Sequence, residues 1–168
     1  MIFPVFLLFS LFTNQIQLVE TQPLNIYDEP LQSCCTAPMT GYYRNGFCQT
    51  GSDDRGTHVV CAEMTEDFLS YTKSKGNDLS TPIPAYDFPG LKPGDRWCLC
   101  IIRWLEAEKA GVAPKINLKS TNKKALEYTN LKMLEKYAVK IWRALRRMRI
   151  YGNLNRLLGK YSSELSGY

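Results

Sequence analysis

The chain has 168 residues, 45% of them hydrophobic and 22% charged, with six cysteines, one histidine and a formal net charge of +5. That length suits one domain able to bury about two-thirds of its extended surface. The apolar fraction excludes a disordered chain, and no apolar run reaches the ~20 residues of a membrane-spanning helix. The charge is unevenly placed: residues 1–131 hold 12 Lys and Arg against 14 Asp and Glu, whereas residues 132–168 hold 9 against 2. Basicity therefore belongs to the C-terminal segment, and any inference to an anionic partner applies to that segment alone.

In chain order, Met1 to Phe12 is apolar apart from Pro4 and Ser10, the length of a signal-peptide core. No Lys or Arg precedes it and no Ala or Gly occurs in the first 36 residues, so a cleavage site is hard to place. Residues 1–23 are read as an apolar leader: a signal segment giving secretory entry, a buried N-terminal segment, or residues upstream of the true start. Residues 24–139 form the domain and 140–168 a basic helical extension.

Thr57 to Met64 is β-branched and apolar, as a strand requires. Thr65 followed by Glu66, Asp67 and Phe68 is a capped helix start, with the helix running to Lys75 and Gly76 ending it. Gly76 to Asp95 is a long Pro- and Gly-rich loop that Tyr86, Phe88 and Leu91 could pin to the body. Arg96 to Ile101 is a second strand passing into a helix that stops before Gly111. Lys115 to Ser120 is a third candidate strand, and Thr121 is placed to cap a short helical turn through Leu126. These elements predict an α+β domain: a small, mainly antiparallel sheet with helices packed on one face and long ordered loops.

Leu131, Leu134, Ala138, Ile141, Leu145 and Met148 recur at three- and four-residue steps, predicting an amphipathic C-terminal helix capped by Asn130 and stopped by Gly152. Its stripe either packs on the domain or recruits a protein partner or an anionic surface. Nucleic-acid binding is not favoured, because no recognised motif accompanies the basic residues.

Chemistry centres on sulfur and on the one histidine. Cys98 and Cys100 share a strand face, with Cα atoms about 6.5–7 Å apart, at or beyond disulfide range. Cys61, Cys98 and Cys100 could cluster across neighbouring strands, with Cys34 or Cys48 added from the preceding loop. Zinc would accept such thiolates, although a thiol-lined core without metal fits the spacing as well. Cys61 lies on the strand face opposite His58, so one regular strand cannot give both to one ion.

His58 is the one candidate for a base with an unperturbed pKa near neutrality. Asp54 or Asp53 orienting it, with a Cys nucleophile from elsewhere, would make a thiol-catalytic arrangement. A polar turn with a hydrogen-bonding His is the plainer alternative. The candidate catalytic residues are thus His58, Asp54, Cys61 and Arg96, and the candidate ligand-binding residues Asp78, Asp95, Arg96 and Trp97. Two function classes stay open: polar-ligand binding through the 53–58 and 76–97 loops, and a thiol-dependent enzyme or zinc-binding protein.

Several blocks carry a family resemblance. They are Glu29-Pro30-Leu31 leading to Cys34, the run Pro38 to Gly46 followed by Cys48, Thr50 and Gly51, Asp54 to His58 with Val60-Cys61-Ala62, and the long stretch from Gly76 through Phe88 to Cys100. On these the chain from Asn25 to Ala138 resembles the domain of unknown function 2237 family. The resemblance implies a compact α+β domain with no assigned activity and a mostly cytosolic setting that favours reduced thiols. It also implies that Cys34, Cys48, Cys61, Cys98, Cys100, His58 and Arg96 fall on the family pattern, with Cys35 extra. Asn122 stands where relatives often carry His.

Overall fold

The computed structural model describes residues 22–139. Strand β1 (His58–Glu63) pairs antiparallel with β2 (Arg96–Cys100), in a register that sets Cys61 opposite Cys98 and His58 opposite Cys100. The pairing slips between His58 and Val60, a bulge-type irregularity that re-aims a side chain at the strand end. Helix α1 (Glu66–Ser74) follows β1 after the expected cap: the Thr65 hydroxyl accepts from the Phe68 N–H, satisfying a donor that the helix itself leaves free. Helix α2 (Ile101–Lys109) begins directly at the end of β2, with Cys100 as its N-cap residue. The sheet has two strands and the helices pack around it, which makes the domain α+β.

The expected third strand over Lys115 to Ser120 is a correction. Only Ile116 makes ladder contacts, bridging to Ala62 on one side and Ala138 on the other. The Glu63 N–H donates to the Lys115 carbonyl and the Asn117 N–H to that of Cys61. The Asn117 side chain then accepts from the Lys119 N–H and turns Leu118–Ser120 into a 3-10 turn, as a short polar side chain competing for backbone donors does. The next turn, Lys123–Glu127, is capped by Asn122 rather than Thr121. Thr121 is buried instead, accepting from the Cys61 N–H through its hydroxyl.

The core lies between β1, α1, α2 and the C-terminal segment, with Trp104, Phe68, Met64, Ile101, Ile116 and Leu134 fully buried. Trp104 donates its indole N–H to the Pro114 carbonyl and meets Tyr137 edge-to-face, at 5.1 Å between centroids. A buried indole needs such a partner.

The 76–95 loop is held down by Phe88 and Leu91, both buried, while Tyr86 is 72% exposed and is not the anchor expected of it. Asp78 ties the loop to itself, accepting from the Ser80 and Thr81 N–H groups and from the Thr81 hydroxyl, and pairs with Lys73. Gly90 has φ +74°, and a Cβ there would come within 2.4 Å of the Ser80 carbonyl oxygen, so the loop can close only on glycine.

Helix α3 (Leu131–Lys136) starts at Asn130, whose side chain accepts from the Met133 N–H, as expected. It ends at Tyr137, and the Val139 N–H returns to the Ile116 carbonyl. Pairing with Ile116 therefore replaces helix after one and a half turns. The rest of the expected amphipathic helix, and the N-terminal leader, lie outside the described residues.

Candidate functional site

The turn from Asp53 to Thr57 delivers Asp54 beneath the start of β1. Its side chain is fully buried. One carboxylate oxygen accepts from the His58 N–H at 2.8 Å and the Thr50 hydroxyl at 2.9 Å, and the other meets His58 Nδ1 at 2.6 Å. The opposite ring nitrogen, Nε2, faces Cys100 Sγ at 3.0 Å. A buried carboxylate, the one histidine and a free thiol thus stand in a line. The carboxylate fixes which nitrogen faces the sulfur.

The electrostatics agree with that geometry. The hydrogen bond to Cys100 is the largest influence on His58 and, with the charge of Cys100 and the Asp54 contacts, raises its pKa from 6.5 to about 9 against the opposing effect of burial. Burial pushes the Asp54 carboxyl up, but the hydrogen bonds from the His58 backbone and ring and from Thr50 outweigh it, and its pKa ends below the ordinary value. Cys100 is also the residue from which helix α2 starts.

Two neighbours hold the ring in place. Tyr42 stacks on His58 with centroids 5.8 Å apart and donates its hydroxyl to the Asp53 carbonyl. A Cβ on Gly56 would fall 2.5 Å from His58 Cε1 and 2.9 Å from Cys100 Sγ. Beside this turn the Tyr43 hydroxyl donates to Asp53 at 2.6 Å, a bond that pushes its pKa up to about 12.

His58 opens into a cleft of about 480 Å³ walled by Tyr42, Tyr86, Phe88, Trp97, Arg44 and Asp78. The Arg44 guanidinium lies 4.8 Å over the Trp97 ring. The 53–58 and 76–97 loops, singled out separately in the sequence, converge here.

Of the expected ligand residues, Asp78 and Trp97 line the cleft. Asp95 instead accepts from the Lys92 N–H in its own turn. Arg96 is exposed and points away from buried Trp97, because adjacent strand residues face opposite sides. It borders grooves on the far side, one with Cys61 and one with Cys34. Arg96 stands at the other end of β2 from Cys100 and does not border the cleft at His58.

Sulfur divides into two sets. Cys34 is bonded to Cys61 and Cys48 to Cys98, and these four are buried together in one cluster. This corrects the reduced thiols implied by the family resemblance and takes Cys61 out of the candidate nucleophiles. The sulfurs of Cys34, Cys48 and Cys61 lie within 4.8 Å of one another, close enough to share a metal, while the two bonds use the same atoms. Cys100 is not in the cluster, contrary to the expected Cys61, Cys98, Cys100 grouping. Cys35 and Cys100 are the free thiols, both part-exposed.

What sequence reasoning missed was that Cys100 is the thiol meeting His58. Strand pairing carried the signal: aligning the two predicted strands antiparallel with Cys61 against Cys98 brings His58 near Cys100 once one residue is bulged.

The profile of a family described as an uncharacterised protein conserved in bacteria, domain of unknown function 2237, matches residues 24–138. The chain belongs to the DUF2237 family. The match runs from the first described loops to the Ile116–Ala138 pairing, so the DUF2237 domain contains both the Asp54–His58–Cys100 line and the four-sulfur cluster. A comparison with curated proteins returned no match.

Proposed function

We propose that this DUF2237 domain is a thiol-dependent enzyme in which Cys100 is the nucleophile, His58 the proton carrier and Asp54 the group that orients the ring. The observation carrying the reading is the 3.0 Å approach of His58 Nε2 to Cys100 Sγ while buried Asp54 holds Nδ1. That is the geometry by which a base activates a thiol and a third group aligns the base. The polar-ligand reading becomes part of this one through His58, the member of the line that borders the cleft between the loops.

The reaction class that suits the arrangement is acyl transfer. The Cys100 thiolate attacks an acyl carbon and the leaving group departs with the proton from His58 Nε2. Water then attacks the thioester, gives a proton back to His58, and releases the acid with the thiolate restored. The cleft wall of Tyr42, Tyr86, Phe88 and Trp97 favours a substrate with a flat or apolar acyl group.

The test is brief iodoacetamide treatment of the full chain at neutral pH with mass-spectrometric mapping, alongside turnover of chromogenic aryl esters. Cys100 should be alkylated well before Cys35, and mild acylation should leave an ester-derived group on Cys100. Equal, slow labelling of the two thiols together with no acylation would contradict the reading.

A further inference from the structure

Cys34, Cys48, Cys61 and Cys98 are contributed by three parts of the chain. The two strands each give one, on directly opposed residues, and the preceding loops give two. All four are at most 3% exposed and pack as one cluster. The sulfurs of Cys34, Cys48 and Cys61 lie within 4.8 Å of one another, and Cys98 is bonded to Cys48. A tetrahedral zinc site with Zn–S near 2.3 Å spaces its sulfurs by about 3.8 Å; Cys34, Cys48 and Cys61 lie near that spacing, and Cys98, bonded to Cys48 in the same buried cluster, is the fourth sulfur at hand.

Charge points the same way. Four thiolates on Zn²⁺ leave a net charge of −2, costly to bury without a compensating cation. Arg96 lines one groove with Cys61 and another with Cys34, which places a cationic residue at the surface beside the cluster. Arg96 does not border the cleft at His58; its cross-strand neighbour Glu63 shares the groove with it.

We infer that the reduced chain binds one zinc ion through Cys34, Cys48, Cys61 and Cys98, with Arg96 offsetting the charge, and that oxidation exchanges the ion for the two disulfides. The balance is simple. Two equivalents of a dithiol reductant give two electrons and two protons to each disulfide, and the four thiols release four protons on binding Zn²⁺. In the reverse direction two hydrogen peroxide molecules and four protons take four electrons from the thiolates, leaving two disulfides, free Zn²⁺ and four waters.

The test is elemental analysis of the full chain, reduced with a phosphine, equilibrated with zinc chloride and dialysed, followed by cobalt(II) substitution. The inference requires close to one zinc per chain, the visible absorption of tetrahedral thiolate cobalt, and metal release by peroxide in step with the loss of four thiols. C100S and C35S should keep the metal, C61S should lose most of it, and R96A should bind at least tenfold more weakly. C100S also separates this inference from the proposed catalytic role, since it removes that role alone. A reduced chain that takes up no metal, whether folded or unfolded, overturns the inference. So does a cobalt spectrum without sulfur ligation, or undiminished binding by C61S.

Discussion

The centre and one end of a single strand pair treat sulfur in opposite ways. At its centre Cys61 and Cys98 face each other, are sealed from solvent and are bonded to Cys34 and Cys48. At its end Cys100 faces His58, stays part-exposed and remains a thiol. The difference lies in the neighbours that the loops supply. The loop carrying Cys34 and Cys48 reaches the middle of the sheet, whereas the Asp54 turn reaches its end and brings a carboxylate. The same element thus gives a closed structural cluster and, one bulge away, an open reactive centre.

The strongest way to break this comparison is to remove each sulfur set in turn. Cys100→Ala should lower turnover of an acyl ester by about 10³-fold or more, with the chain still folded and both disulfides intact. Replacing Cys34 and Cys61 together by Ala opens a loop of 27 residues and should cost about 3.5 kcal/mol in urea unfolding on the loop-entropy account. Iodoacetamide labelling of Cys100 in the folded fraction should stay within about twofold. If the first change unfolds the chain, or the second silences Cys100, the two sites are not separate.

Smaller changes sharpen the reactive end. Asp54→Asn removes the charge that orients the ring and should slow Cys100 alkylation by roughly 10- to 100-fold, with the His58 pKa falling. Gly56→Ala places a methyl against both His58 and Cys100 and should slow the same reaction without changing the disulfides, as counted by thiol titration. Thr65→Ala, at a helix start remote from both sites, should cost about 1 kcal/mol and alter neither.

The pH dependence of stability follows from the same groups. Asp54 has a lowered pKa, so its contribution is present above the ordinary value of 3.8 and is lost as pH falls. His58 is raised from 6.5 to about 9, so its contribution is full below 6.5 and is lost as pH rises through about 9. Stability should therefore be greatest between 3.8 and 6.5. The alkaline decline should flatten in Cys100→Ala, which urea midpoints measured across pH would show.

Much of the fold was legible because local signals and tertiary structure agree. The Thr65 and Asn130 caps, both strands and the start of α2 follow from short-range chemistry that the fold keeps. The segment 115–122 departed from expectation because Asn117 and Asn122 divert backbone donors into turns, and the helix after Leu131 because Val139 pairs with Ile116. At the site, Asp54 and His58 are four residues apart and their pairing was readable. The Cys100 contact depends on strand register and a bulge. The separation of Cys100 from the other cysteines depends on where loops more than thirty residues away come to rest, which no spacing within a strand encodes.

The chain has a single histidine, so one resonance reports the centre without assignment. The most direct measurement is an NMR titration of the His58 ring in the full chain and in Cys100→Ala. The account predicts an imidazolium that persists to a midpoint near 9 and a clear fall of that midpoint when the sulfur is removed. A midpoint near 6.5 that does not respond to Cys100→Ala would contradict it.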